Sequence, residues 1–138
     1  MKPKITFEYY DGTNKKRPPM SAGLYEAIQD AVDSIGATHC HIVHVGTVGD
    51  PKTHRPGTSH MQDPPEAIDV RKVFLKFKGW WTDGCNIKAI DLELMDSLAN
   101  RKLVADVWKS VDGVCAHVNS RKHHHIHLQT PKSEWGGG

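Results

Sequence analysis

Four side chains in two short segments of the sequence have the chemistry of metal ligands. His60 and Asp69 lie near the middle of the chain, and His125 and His127 flank Ile126 near its end. A structural zinc site is usually closed by four protein ligands, whereas a hydrolytic site uses about three nitrogen or oxygen ligands and leaves a position for water. Three ligands and one spare histidine therefore predict the open, catalytic kind of site.

The spacing of the late histidines predicts how they are presented. Residues two apart in a strand point to the same face, so His125 and His127 emerge side by side while Ile126 turns to the core. Asp69, on a short neighbouring strand, and His60, at the end of the preceding loop, can then join them. Zn²⁺ held by two imidazoles and a carboxylate lowers the pKa of its water toward about 7 and polarises a carbonyl. The spare imidazole suits proton transfer near neutral pH.

Two other chemistries find less support. Ser59 precedes His60, but neighbours in sequence rarely form a Ser-His-Asp triad and no GxSxG motif is present. The cysteines are three in number and contain no CxxC pair, so neither a disulfide framework nor a thiolate zinc site is indicated. We predict that Cys40, Cys85 and Cys115 are reduced and mostly buried.

Composition bounds the class of protein. The chain has 138 residues, of which 38% are hydrophobic and 25% charged, as in an ordinary soluble globular protein. The net charge of +2 is too small to indicate a nucleic-acid partner. No apolar run reaches the roughly 20 residues of a membrane helix, and the N-terminal residues do not resemble a signal peptide. The expectation is a monomer made in the cytoplasm, with one domain over residues 1–135 and a flexible glycine tail at 136–138.

Periodicity and capping residues predict an α+β fold in which helices pack on a mostly antiparallel sheet. Ser21 is a good N-cap for a helix that passes through Ile35 and stops at Gly36. A second helix is predicted from a cap at Asp91 to about Asp112, with these inward residues: Leu94, Leu98, Leu103, Val107 and Trp108. The predicted strands are residues 3–10, 39–48, 67–70, 114–118 and 124–130, the last two forming a hairpin. Residues 74–88 have no clear pattern.

The motifs resemble those of a known family. Ser59-His60, Ala67-Ile68-Asp69-Val70 and His125-Ile126-His127-Leu128 are similar to the Ser-x-His, Gly-x-Ala-x-Asp and His-x-His signatures of zinc D-Ala-D-Ala carboxypeptidases and phage L-alanyl-D-glutamate endopeptidases. Those enzymes share a fold with the Hedgehog signalling domain. The resemblance runs from the first helix to about Thr130. It implies zinc ligation by His60, Asp69 and His127, a catalytic His125, and a substrate in the peptide stems of the bacterial cell wall, as for an endolysin.

The sequence also departs from the family pattern. Residues 61–68 separate His60 from Asp69, a longer interval than usual, and the usual glycine is replaced in the segment Pro64-Pro65-Glu66. Many members carry a glutamate base three positions before the last ligand, where this chain has His124. The family's upstream arginine, which binds substrate or the developing oxyanion, has no clean match, and Arg55 is the candidate. These departures keep open a non-catalytic zinc-binding or cell-wall-binding module of the same fold.

Several aromatic and histidine residues stay open between two interpretations. Trp80 and Trp81 fit either a substrate platform or a core or lid position. His44 is a candidate to line the site, whereas His39 and His41 are expected to be ordinary strand residues. His123 and His124 are expected in an exposed loop.

Overall fold

A computed structural model describes residues 2–78, 85–91, 98–116 and 125–136. The elements follow the chain as β1 (Lys4–Tyr9), α1 (Ala22–Ser34), β2 (Ala37–Gly46), a 3-10 turn (Ser59–Met61), β3 (Ala67–Lys78), β4 (Cys85–Asp91), α2 (Leu98–Ser110), β5 (Val114–Ala116), β6 (Ile126–Gln129) and a second 3-10 turn (Lys132–Glu134). The two helices and one sheet in these ranges confirm the α+β class. No helix in these ranges has the length and apolar character needed to cross a bilayer.

The six-stranded sheet is mixed, which corrects the prediction of a mostly antiparallel one. Its order is β1-β2-β3-β6-β5, and β4 also pairs with β3. Strands β1 and β2 are parallel, whereas the other pairings are antiparallel. β1 and β2 are parallel because helix α1 connects them: it returns the chain to the end of the sheet where β1 began, so β2 runs in the same direction. The predicted pairing of the last two strands is confirmed by β5 and β6.

Strand β3 is the centre of the sheet and is much longer than the predicted 67–70. One edge pairs with β2 along most of its length. The other edge pairs first with β6, over Ala67 to Val70, and then with β4, over Lys72 to Lys78. Val43 pairs with Lys72 and His44 with Val70, so the register between β2 and β3 shifts by one residue of β3 at this change of partner. Near the start of β3, Asp69 and Val70 therefore lie between β2 and β6. This double pairing makes the segment a rigid position for a functional side chain.

Helix α1 forms as predicted because both its ends carry good signals. Ser21 is the N-cap, and its hydroxyl accepts a hydrogen bond from the Leu24 amide at 3.0 Å. Gly36 follows with a φ of +78°, a conformation that glycine adopts without strain. The buried face of the helix supplies Leu24, Ile28, Ala31 and Val32 to the core.

One hydrophobic core lies between the helices and one face of the sheet. It includes Ile68 and Val70 from β3 and Ile126 and Leu128 from β6, as alternation predicts. From α2, Trp108 is 2% exposed, and its indole N–H donates to the Gln129 carbonyl at 3.0 Å. This contact ties the second helix to the strand that carries His127.

The second helix differs from its prediction in two respects. Asp91 lies in β4, so it does not cap the helix, which begins at Leu98 in the described residues. Leu103 is 52% exposed, whereas Arg101 and Ala105 are buried on the inward face. The predictions for Leu94, for the Trp80-Trp81 pair and for His123 and His124 fall outside the described residues, as does most of the glycine tail.

Buried hydrogen bonds fix the start of β3. The Glu66 carboxylate accepts from the hydroxyls of Ser21 and Thr130, the latter at 2.9 Å. The Glu66 carbonyl accepts from the Thr130 amide at 3.1 Å, and the Ser21 amide donates to the Pro65 carbonyl. The cap of α1, the end of β6 and the entry to β3 therefore meet at one point, three residues before Asp69.

Candidate metal centre

Two of the predicted ligands lie directly opposite each other in the sheet. Asp69 of β3 pairs with His127 of β6. Because Ile68, Val70, Ile126 and Leu128 face the helices, alternation turns Asp69 and His127 to the opposite face. There the Nδ1 atom of His127 is 3.1 Å from Oδ1 of Asp69. Backbone pairing thus sets the distance between these two side chains.

The third predicted ligand comes from a 3-10 turn placed over that face. His60 and Ser59 lie in the turn, whose ends are held by hydrogen bonds from the Gly49 amide to the His60 carbonyl and from the Glu66 amide to the Ser59 carbonyl. The Nδ1–H of His60 donates to the Thr47 carbonyl at 2.7 Å, because a carbonyl can only accept. The other ring nitrogen, Nε2, lies 3.1 Å from Oδ1 of Asp69.

These three side chains form a group that can hold a metal ion. One atom from each of His60, Asp69 and His127 lies within 4.8 Å of the others, and the two histidines are buried. Two imidazole nitrogens converge on one carboxylate oxygen, so each can approach it closely only when a proton or a cation lies between them. Nitrogen and oxygen donors in this number suit a divalent transition metal.

The electrostatics of the group follow from that convergence. Burial raises the pKa of Asp69, but hydrogen bonds from His127 and His60, and the charges of His60 and His125, outweigh burial and hold that pKa well below its usual range. Burial lowers the pKa of His60, but the hydrogen bond and charge of Asp69, with the Thr47 carbonyl, outweigh it and leave that pKa raised. The group therefore keeps an ionised carboxylate and favours positive charge beside it.

His125 lies next to the group, just before β6 begins. Its Nε2 atom is 3.7 Å from Oδ2 of Asp69, whereas His60 and His127 contact Oδ1, and its side chain is 14% exposed. His125 is thus within reach of the centre without belonging to the set of three ligand atoms. The sequence predicts this relation from the His-Ile-His spacing.

Sequence reasoning missed the residues that contact the far side of His127. The Nε2 atom of His127 is 2.7 Å from Oε1 of Gln129 and 3.2 Å from Oγ of Ser59. Gln129 is two residues after His127 in the same strand, so the period of two that identifies His125 also identifies Gln129 as a neighbour. The sequence suggests Ser59 only as part of the Ser59-His60 motif or as a nucleophile beside His60.

The chain Ser59, His127, Asp69 has the connectivity of a Ser-His-Asp triad, although the sequence suggests His60 rather than His127 for the middle position. Two observations argue against that use. Ser59 is only 5% exposed, so a substrate has little access to its hydroxyl. Gln129 presents a carbonyl oxygen to Nε2 of His127 at the shorter distance, and that oxygen requires Nε2 to carry a hydrogen rather than accept one from serine.

Gly49 packs closely against the turn that carries His60. A Cβ atom added at Gly49 would lie 2.9 Å from Sδ of Met61, 3.0 Å from Cβ of His60 and 3.1 Å from Cγ of His54. The His54 ring stands edge-on to the His60 ring, with centroids 5.3 Å apart. Only glycine allows the loop to pass this close to the turn that presents His60.

The structure does not bring the remaining candidates into the group. Arg55 is exposed in the loop before the 3-10 turn, and among the described residues no hydrogen bond or ion pair joins its guanidinium to the three side chains. His44 is buried and packs edge-on against the rings of Phe7 and Tyr9. Burial lowers its pKa and the charge of Asp69 opposes that shift, so His44 interacts with the carboxylate without supplying one of the three ligand atoms. Two residues after Asp69 in β3, Arg71 is a second arginine that the sequence did not suggest, and its guanidinium lies 5.0 Å from the Tyr10 ring centroid.

Comparison of the chain with protein-family models, with curated proteins and with solved structures finds no match. The resemblance to the zinc carboxypeptidases and endopeptidases, and to the Hedgehog-type fold, therefore stays a prediction that rests on the motifs and on the site geometry.

Proposed function

We propose that this protein is a zinc-dependent hydrolase that cleaves a peptide bond in the stem peptides of peptidoglycan. The observation that carries the proposal is the convergence of His60, Asp69 and His127, whose ligand atoms lie within 4.8 Å of one another. Three nitrogen and oxygen ligands leave an open coordination position, as in hydrolytic zinc sites. A zinc ion bound there would supply Lewis-acid activation of water and of the scissile carbonyl.

The residues of this chain have distinct roles in the proposal. Asp69 and His127 would hold the ion from the sheet, and His60 would hold it from the 3-10 turn. His125 is placed beside the centre, with Nε2 3.7 Å from Oδ2 of Asp69, and acts as the proton carrier. Arg55 is assigned to substrate binding only on the family resemblance.

The substrate class follows from the resemblance rather than from the geometry. The Ser59-His60, Asp69 and His125-Ile126-His127 motifs resemble those of enzymes that act on cell-wall peptides, and the proposal includes their Hedgehog-type fold. Both a carboxypeptidase and an endopeptidase, the latter acting as an endolysin, are compatible with the same centre. We further propose that the protein is monomeric and reaches the cell wall after synthesis in the cytoplasm by release or by another route.

A non-catalytic module that binds zinc or cell wall is the second candidate. It is favoured by the histidine at position 124, where many family members have a glutamate base, and by the long interval between His60 and Asp69. Such a module would keep the metal and the fold but lack turnover. Metal content and hydrolysis therefore have to be measured on the same preparation.

The test is metal analysis by plasma mass spectrometry, followed by release of amino groups from purified sacculi. The hydrolase predicts one zinc per chain and release that a chelator stops and zinc restores. One zinc without release supports the binding module, and no bound metal overturns both. His127→Ala is the inactive variant, and His39→Ala is its matched control, because His39 is an exposed strand histidine outside the centre. Release that persists in chelator but stops in Ser59→Ala would instead indicate a serine hydrolase.

A further inference from the structure

Both ring nitrogens of His127 have close polar neighbours: Nδ1 faces Asp69, and Nε2, on the far side of the ring, faces Gln129 and Ser59. Oε1 of Gln129 is 2.7 Å from Nε2, and Oγ of Ser59 is 3.2 Å from the same atom. Oε1 can only accept, so Nε2 carries the hydrogen in this arrangement. The lone pair of a neutral imidazole then resides on Nδ1, the atom that faces Asp69.

The same arrangement is present at His60 with the nitrogens exchanged. There Nδ1–H donates to the Thr47 carbonyl, which leaves Nε2 to face Asp69. Each histidine thus has one nitrogen fixed by an oxygen acceptor and the other directed at the carboxylate. Histidines that bind metals almost always donate their second nitrogen in this way, and the donation fixes both tautomer and ring orientation.

We propose that Gln129 and Ser59 are positioning residues that fix His127 so that it binds metal through Nδ1, while His60 binds through Nε2. The inference rests on the metal site of the proposed function. It gives Ser59 a role other than nucleophile, because its hydroxyl supports an imidazole that is already committed to the metal. It also explains why the turn that carries His60 matters to both histidines, since Ser59 is its first residue.

Of the two neighbours of Nε2, Gln129 makes the closer contact, so we expect its loss to weaken zinc binding more than the loss of Ser59. The oxygen of Gln129 is closer to Nε2 than the serine hydroxyl is, and it lies on the same rigid strand as His127. Loss of such an outer partner typically weakens metal binding roughly 10- to 100-fold. Gln129→Met should show that loss, and Ser59→Ala a smaller one. Gln129→Glu should keep or tighten binding, because a carboxylate is a stronger acceptor for Nε2–H.

The experiment measures zinc affinity by competition with a chromophoric chelator and identifies the bound nitrogens by long-range ¹H–¹⁵N spectra of the zinc-loaded protein. Gln29→Met in α1 is the matched control, because it makes the same substitution on the other side of the molecule. The expected result is weakened binding in Gln129→Met, rescue in Gln129→Glu, and coordination of His127 through Nδ1 in the wild type.

Two results would overturn the inference in distinguishable ways. A wild-type protein that binds zinc while Gln129→Met binds it equally well, or with His127 coordinated through Nε2, removes the positioning role and leaves the proposed function intact. A wild-type protein that takes up no zinc removes both. A purely structural role for Gln129 would lower the melting temperature of the metal-free variant without changing which nitrogen binds.

Discussion

His127 and Asp69 face each other across β6 and β3, and Nδ1 of one is 3.1 Å from Oδ1 of the other. Their separation is set by the backbone register of two paired strands, whereas His60 reaches the same carboxylate oxygen from a three-residue turn. The sheet therefore supplies two ligands in fixed positions. The turn supplies the third, and its position depends on the packing of the loop around it.

Asp69 is the residue on which the group converges, so we expect its loss to affect metal binding most. Asp69→Asn keeps the shape of the side chain but removes the charge that two histidines approach. Zinc affinity should fall by more than the roughly 10- to 100-fold typical of a residue that only orients a ligand. Chelator competition measures this directly.

Asp33→Asn is the control for that substitution, because Asp33 is exposed in α1. It should bind zinc as the wild type does. Wild-type affinity in Asp69→Asn would show that the carboxylate is not a ligand and that the metal, if bound, lies elsewhere.

The metal-free protein should be most stabilised by this group in a defined pH window. The pKa of Asp69 is lowered from 3.8, so its stabilisation is present above about pH 4 and is lost as the pH falls below that value. The pKa of His60 is raised from 6.5, so its stabilisation is complete below about pH 6.5 and is lost as the pH rises through the raised value. Melting temperatures from pH 3 to 9 test both limits.

Bound zinc should reverse the effect of pH on stability above about pH 6.5, where deprotonation of His60 destabilises the metal-free protein. Zinc requires the deprotonated imidazole, and a raised pKa of His60 means that protons compete with the ion at a higher pH than for a free histidine. The increase in melting temperature caused by zinc should therefore be larger at pH 8 than at pH 6. In the metal-free protein, His60→Gln should remove the fall in melting temperature that His60 causes at high pH. An increase that does not change with pH would contradict proton competition at this centre.

His125→Ala should separate catalysis from metal binding. Its Nε2 lies near Oδ2 of Asp69 but outside the three ligand atoms, so zinc content should stay at the wild-type value. Hydrolysis of sacculi should fall by about 100- to 10,000-fold, as expected when a proton-transfer group is removed. His39→Ala should change neither quantity. Loss of zinc from His125→Ala would make His125 a ligand and reverse the assignment within the His-Ile-His segment.

The sequence predicted the parts of this molecule whose signals are local. The cap at Ser21, the stop at Gly36 and the alternation of Ile126, His127 and Leu128 each act within a few residues, and each is observed. The grouping of His60, Asp69 and His127 was also predicted, because strand periodicity and motif spacing together restrict where those side chains can point.

Features that depend on distant parts of the chain were missed or wrong. The parallel pairing of β1 with β2 depends on how α1 crosses the sheet, which no local pattern encodes. Asp91 looked like a helix cap, but pairing of β4 with β3 decided its structure. The length of β3 was missed despite a usable signal, since Val73, Leu75 and Phe77 recur at every second position and face the core side, although Phe74 breaks the run of polar residues between them.

Gly49→Ala should damage the centre without touching a ligand. The added Cβ would lie 3.0 Å from Cβ of His60 and 3.1 Å from Cγ of His54, and Cβ of His60 can move only with its backbone. Overpacking of this kind costs about 1–3 kcal/mol of unfolding free energy, and the relief available is a shift of the turn that carries His60. We therefore expect a lower melting temperature together with weaker zinc binding. Gly23→Ala is the control, because its Cβ meets only Oγ of Ser21 at 3.9 Å and alanine favours the helix. Destabilisation of Gly49→Ala with unchanged zinc affinity would show that the position of His60 does not depend on this contact.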